Sequence, residues 1–132
     1  MSAGSPFSYA VYRLVPRVER GEQMNGGVVV FSRPLKYLAA RTALDARRLA
    51  ALWPELDPDT VRPHLSAIER VASGDPTAGP IAKLDPGERF YSLSSPSSTM
   101  IQPSAVHTGI CGDPAAELEK LFRSLVLMPT AG

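Results

Sequence analysis

The sequence predicts an α+β fold in which an antiparallel sheet of four or five strands carries about three helices, packed mainly on one face. Two apolar runs rich in β-branched and aromatic residues lie near the start, and segments with helical spacing follow in the middle and at the end. A chain of 132 residues with 44% apolar and 20% charged residues fits one compact core. We therefore expect residues 1–132 to form a single domain, with an ordered core at about residues 7–128 and flexible termini.

The first third of the chain predicts three antiparallel strands. Residues 7–15, "FSYAVYRLV", are apolar on both alternating faces, as in an interior strand, with Arg13 as the exception. Residues 27–32, "GVVVFS", form a continuous apolar strand, and a turn then precedes a third strand at about residues 36–44. Asn25 and Gly26 are expected to form a tight turn with positive φ that leads into the second strand.

A short helix is predicted to begin after Asp45, which has the side chain of a good N-cap. The apolar spacing places Leu49 and Leu52 on its inward face and ends it near Trp53 and Pro54.

A second helix follows, with Gly74 as its C-terminal stop. Because Pro63 is tolerated only in the first turn of a helix, the pattern favours an N-cap at Asp59 or Thr60. One helical face carries the apolar residues Val61, Leu65, Ile68 and Ala72.

The last third is harder to interpret. Residues 73–86 form a long, turn-rich connection, and a fourth strand is expected around residues 98–102. A fifth strand is expected around residues 105–110, and Pro103 separates it from the fourth strand. A final helix begins at Asp113 and Pro114, shows apolar residues at helical spacing and ends before Pro129.

Composition limits the cellular setting. Residues 1–50 carry eight Lys or Arg against three Asp or Glu, a mild basicity that does not by itself predict nucleic-acid binding. The single cysteine, Cys111, excludes an intramolecular disulfide framework and is expected to be half-buried. No signal peptide and no apolar run of membrane-spanning length is apparent, so we expect a cytoplasmic protein that does not act at a membrane.

The loop between the first two predicted strands is the first candidate site. In "VERGEQMNGGVVVF", residues 18–31, Gly21 and Gly26 have the spacing of a phosphate-binding loop. That motif requires Lys and then Ser or Thr next and opens a helix, whereas Gly27 and Val28 follow here and begin a strand, so we reject it. The charged side chains could be solvated, pair with one another, or present an arginine fork to an anion. The candidate binding residues are Arg17, Glu19, Arg20, Glu22 and Asn25.

A second polar cluster lies in "SSPSSTMIQPSAVHTG", residues 94–109, and its candidate residues are Ser98, Thr99, Gln102 and His107. A hydrolase would need a third group to orient the histidine and donors for an oxyanion, and the chain has no G-x-S-x-G elbow. Hydroxyl groups in such a segment more commonly satisfy backbone groups in turns. His64 and His107 have no ligands at metal-binding spacing, so we expect no metal site.

Two blocks of the sequence resemble a bacterial family of unknown function, domain-of-unknown-function family 3037. They are "FSYAVYRLVPRVERGEQMNGGVVVFSR" and "STMIQPSAVHTGICGDPAAELEKLFRSLV", and the likeness runs from about Phe7 to Val126. The resemblance implies that both polar clusters belong to the family pattern, but it names no reaction. The family is loosely associated with neighbouring genes that encode HipA-like kinases. The resemblance therefore also implies a kinase-like partner.

The chain departs from this family pattern at two positions. Gly26 stands where an apolar residue is usual, and Ser97 stands where a basic residue often precedes the Ser-Thr pair. The absence of a basic residue at position 97 weakens the prediction of an anion-binding site in the second polar cluster.

The leading functional expectation is a non-catalytic accessory protein that binds a partner such as a HipA-like kinase through both clusters. The alternative is a binding protein for a phosphorylated small molecule or nucleic acid that uses Arg17 and Arg20. A hydrolase that uses Ser98 and His107 is a lesser alternative. No cofactor is expected, and the oligomeric state is left open.

Overall fold

Five strands form one antiparallel sheet in the computed structural model, which describes residues 4–96 and 100–127. The strands are β1 (Ser5–Leu14), β2 (Met24–Ser32), β3 (Tyr37–Thr42), β4 (Ile101–Pro103) and β5 (His107–Cys111). β2 lies between β1 and β3, while β4 and β5 both pair with the other edge of β1. The predicted meander and the interior position of the first strand are therefore confirmed.

Four α-helices accompany the sheet within the described residues, one more than predicted. They are α1 (Ala46–Leu52), α2 (Pro58–Ser73), α3 (Pro86–Leu93) and α4 (Pro114–Leu125). Short 3₁₀ turns lie at Val18–Arg20, Pro76–Ala78 and Pro80–Lys83. The predicted α+β class is confirmed.

Apolar side chains fill both faces of the sheet, because successive residues of a strand point to opposite sides. On one face, Leu14 packs among residues of α1 and α2, and Tyr12 packs near Phe90 of α3. The Tyr12 hydroxyl also donates a hydrogen bond of 2.9 Å to the Leu93 carbonyl, and burial raises its pKa. On the other face, Phe7 packs with Phe122 of α4. Three helices thus cover one face, and α4 covers part of the other.

The helix α3 was absent from the sequence prediction, which assigned its start to a turn-rich connection. Asp85 caps it by accepting a hydrogen bond of 2.8 Å from the Glu88 N–H, and Pro86 occupies the first turn. Gly87 lies in the same turn and weakens the helical pattern of the sequence. The Asp-Pro start resembles that of α4, where Asp113 is the N-cap as predicted.

The predicted tight turn at Asn25 and Gly26 is wrong. Both residues lie inside β2, where the pairing with β1 shifts by one residue between Tyr12 and Arg13. This bulge accommodates Gly26 as the extra residue. The left-handed turn residue of the hairpin is instead Gly21, with φ of 71°.

The two central helices also differ in detail from the prediction. α2 begins after Asp57 rather than Asp59 or Thr60, so Pro63 lies inside the helix, in its second turn. On α1, Leu49 is fully buried as predicted, but Leu52 is 40% exposed, and Trp53 is buried in its place. Asp45 and Gly74 cap these helices as expected.

The end of the chain follows the predicted order of strand, strand and helix, with shifted bounds. The first two residues of the predicted fourth strand, at 98 and 99, lie outside the described residues. Cys111 is buried rather than half-buried, and burial raises the pKa of its thiol. Among the described residues, no helix has both the length and the apolar character needed to cross a bilayer.

Candidate functional site

The loop at the tip of the β1–β2 hairpin, residues 15–23, carries two ion pairs between its own side chains. Arg17 lies 3.8 Å from the Glu19 carboxylate, and the Arg20 guanidinium hydrogen-bonds to the Glu22 carboxylate. The hydrogen bond from Arg20 lowers the pKa of Glu22, and the same contact raises the pKa of Arg20. We call this segment the hairpin loop. Its charges are largely neutralised before any ligand or partner arrives.

Val18 lies between Arg17 and Glu19 in the sequence, with 66% of its surface exposed. It opens the 3₁₀ turn Val18–Arg20, in which no residue is buried. An aliphatic side chain this exposed, surrounded by charged ones, has the arrangement of a small apolar centre within a polar rim.

A pocket of about 340 Å³ lies beneath the hairpin loop, against the end of α1. Trp53 is buried there, and its indole N–H has no hydrogen bond of ordinary geometry within the described part of the chain. The indole lies near the Glu22 carboxylate and helps to lower its pKa, after the larger effect of Arg20. The pocket is lined by Arg17, Arg20, Leu52, Trp53 and Glu55.

The charge around this pocket does not favour an anion. The two guanidinium groups of Arg17 and Arg20 face the carboxylates of Glu19, Glu22 and Glu55. Two positive charges against three negative ones leave the surroundings net negative. An incoming phosphate would therefore have to compete with the carboxylates that already neutralise the arginines.

A second group of polar residues lies across three neighbouring strands. Arg13 of β1 is in register with Asn25 of β2 and with Gln102 of β4, so the three side chains share one face of the sheet. Four residues from Arg13 on the same face of β1, Tyr9 is in register with His107, and their ring centroids are 5.1 Å apart. We call these five residues the cross-strand patch.

The cross-strand patch joins residues from both predicted clusters. Asn25 comes from the first cluster, and Gln102 and His107 come from the second, although about eighty residues separate them in the chain. The Asn25 amide also donates a hydrogen bond of 2.9 Å to the Leu125 carbonyl, which ties the patch to the end of α4. Strand pairing with β1 is the physical reason for their proximity.

The other predicted site residues lie elsewhere. Arg17, Glu19, Arg20 and Glu22 belong to the hairpin loop, whose pocket is completed by α1 and not by the second cluster. Ser98 and Thr99 lie outside the described residues. Glu19 pairs with Arg17, and Glu22 pairs with Arg20.

His107 is the histidine of the hydrolase alternative, and Ser98, its nucleophile, lies outside the described residues. His107 is exposed on β5, and its ring lies beside that of Tyr9. In that part of the chain, no group of three His, Cys, Asp or Glu is placed to hold a metal ion.

Three residues of these surfaces were missed as site residues by the sequence analysis. Tyr9 looked like an ordinary strand residue, and Val18 is a single aliphatic residue in a charged loop. Trp53 was interpreted only as a helix end. The sequence did distinguish Val18, because it is an apolar residue between the charged residues Arg17 and Glu19, with no apolar residue beside it to pack against.

Comparison with known proteins gives a family and no activity. A family model described as "Protein of unknown function (DUF3037)" matches residues 9–126. No curated protein and no solved structure matches the chain.

Proposed function

We propose that this chain, which belongs to the DUF3037 family of proteins of unknown function, is a non-catalytic accessory protein that binds a protein partner. The hairpin loop and the cross-strand patch are the proposed contact surfaces. A kinase-like enzyme is the partner class to test first, because the resemblance to the family implies one.

One observation carries this proposal: the hairpin loop satisfies its own charges and leaves Val18 exposed. A site built to bind an anion keeps its arginines available for the ligand. A protein interface instead gains most from an apolar or aromatic anchor that is desolvated on binding, with charged neighbours at its rim. The arrangement of Arg17, Val18 and Glu19 fits the second description better than the first.

The cross-strand patch supports the same function. Tyr9, Arg13 and His107 provide two rings and a guanidinium, and aromatic and arginine side chains are enriched at protein interfaces. They lie on strands rather than on loops, so the sheet holds them in fixed positions before binding. Such preorganisation lowers the entropy lost when a partner docks.

The alternative of an anion-binding protein rests on a different observation. Trp53 lines the pocket that contains Arg17 and Arg20, and its buried indole N–H, near the Glu22 carboxylate, makes no hydrogen bond of ordinary geometry with the described residues. An anion bound there would depend on both arginines. Arg17→Ala combined with Arg20→Ala would then remove anion binding together with its salt dependence.

The test of the proposed function is Val18→Asp, measured on the complex that copurifies with the tagged wild-type protein. We expect affinity for the partner to fall by at least about tenfold, because an aliphatic side chain that becomes buried on binding is replaced by a charge that must be desolvated. Affinity is measured by surface plasmon resonance with the purified partner.

The matched control is Ile81→Asp, which makes the same change at an aliphatic residue that is 43% exposed on the connection before α3. It should leave the affinity unchanged. Equal affinities for wild type and Val18→Asp, or an equal loss in both variants, would rule out the hairpin loop as the contact surface.

A further inference from the structure

The outer edge of β5 has no described strand beside it. The Ser104 N–H donates a hydrogen bond of 2.7 Å to the Val11 carbonyl, and the Val11 N–H donates one of 2.9 Å to the Ser104 hydroxyl. The backbone of Val11 therefore faces β4 and β5, and by alternation so do the backbones of Tyr9 and Phe7.

The same alternation fixes the direction of each backbone group on β5. His107 and Gly109 are in register with Tyr9 and Phe7, so their backbone groups point inward to β1. The N–H and C=O groups of Thr108 and Ile110 consequently point outward, toward the open edge.

This edge carries none of the charges that usually protect an open strand. Residues 90–112, which contain β4 and β5, include no Lys, Arg, Asp or Glu, in a chain that is 20% charged. Ile110 is also 63% exposed. Native proteins commonly block such edges with charged residues, proline or bulges, and an edge without them is open to pairing with another strand.

The arrangement of β5 is suited to pairing with itself. If two copies meet antiparallel about a two-fold axis at Gly109, Thr108 of each copy lies opposite Ile110 of the other. These are the two residues whose backbone groups point outward, so the pair can form four hydrogen bonds. Gly109 then lies opposite Gly109 of the second copy in a non-hydrogen-bonded pair, the type in which the two Cα atoms approach most closely. Because glycine has no side chain, this close approach causes no clash.

The lack of charge makes this edge compatible with a second copy of itself. A two-fold axis brings identical surfaces together, so a charged residue near the axis would approach its own like charge. Residues 90–112 contain no Lys, Arg, Asp or Glu that could approach its own copy in this way. We propose that the protein forms a two-fold dimer through antiparallel pairing of β5 with β5 of a second copy. This inference goes beyond partner binding, since it concerns the purified chain alone.

The interface should be weak. A pair of five-residue strands buries less surface than the roughly 1,200 Å² at the lower end of stable interfaces, so the dimer should dissociate on dilution. Analytical ultracentrifugation of the wild-type chain from about 5 to about 500 µM should show a reversible shift from monomer to dimer, the range in which associations of modest free energy are populated. A chain that stays monomeric throughout this range would overturn the proposal.

Charge variants at Ile110 test the register. Ile110→Lys and Ile110→Glu should each weaken dimerisation by more than about tenfold, because each places like charges roughly 7–8 Å apart across the axis. An equimolar mixture of the two variants should restore the dimer, and added salt should weaken the mixed dimer. Circular dichroism of each variant verifies that the monomer is folded.

The control is Val18→Lys, which places the same charge at an equally exposed aliphatic residue on the hairpin loop. It should leave dimerisation unchanged. A dimer that the Ile110 variants do not weaken, or a mixture that remains monomeric, would exclude the β5 register. Since Val18 governs partner binding and Ile110 governs self-association, failure of one proposal is distinguishable from failure of the other.

Discussion

Leu49→Ala should lower the free energy of unfolding by about 2–5 kcal/mol, the range observed when a fully buried leucine is truncated. Leu49 is completely inaccessible to solvent and packs with Leu14, Met24, Trp53 and Val61. Its removal leaves a cavity where α1 joins the sheet, next to the floor of the hairpin loop. Urea denaturation followed by the fluorescence of Trp53, the only tryptophan, and by circular dichroism measures the effect.

The control for this prediction is on the same helix. Leu52→Ala should change stability by less than about 1 kcal/mol, because Leu52 is partly exposed. The sequence pattern assigned both leucines to the inward face, whereas the structure separates them. Equal losses for the two variants would support the sequence pattern and contradict the placement of α1.

Phe122→Ala should have a comparable or larger effect on the opposite face of the sheet, with a loss of about 3–5 kcal/mol. Phe122 is buried in the core that α4 forms with β1 and β2, and the Arg41 guanidinium lies 4.3 Å from the centre of its ring. The substitution removes both the buried ring surface and this cation–π contact. Thermal unfolding monitored by circular dichroism gives the change in stability.

Tyr91→Ala is the aromatic control, because the Tyr91 side chain on α3 is 78% exposed. Its loss should change stability by less than about 0.5 kcal/mol, as for other surface substitutions. If Phe122→Ala proved as mild as Tyr91→Ala, α4 would not pack on the sheet as described.

The sequence predicts the framework well where the local signals agree. The first three strands are consecutive apolar runs, and α4 combines an N-cap, a proline in the first turn and a strong helical spacing. Each of these segments is defined by several independent cues. Their order and type are therefore predictable without knowledge of tertiary contacts.

The errors arise where one local cue was given too much weight. Asn25 and Gly26 are typical of tight turns, but pairing with β1 extends β2 through them and absorbs Gly26 as a bulge. Pro63 was expected to mark the first turn of a helix, yet α2 begins two or three residues earlier than predicted, with Asp57 as its N-cap and Pro58 as its first residue. The pairing of β2 with β1 outweighs the turn preference of Asn25 and Gly26, and the packing of α2 outweighs the roughly 3 kcal/mol that a proline inside a helix costs.

The candidate site could be predicted only as two separate lists of residues. Spacing along the chain does not reveal that Asn25 and Gln102 both flank Arg13, because that proximity depends on the pairing of β4 with β1. It likewise does not reveal that Trp53 turns inward beneath the hairpin loop. The sequence can suggest that charged side chains pair within the hairpin loop. Only the structure specifies that Arg17 pairs with Glu19 and Arg20 with Glu22.

The central claim is that the hairpin loop and the cross-strand patch serve a protein partner. Native mass spectrometry of the tagged wild-type protein, purified gently from its own host, tests it most directly. The account predicts a stoichiometric complex with a second protein, in addition to the free chain and its dimer. A bound nucleotide, metabolite or nucleic acid with no protein partner would contradict the account and would identify the pocket at Arg17, Arg20 and Trp53 as a ligand site.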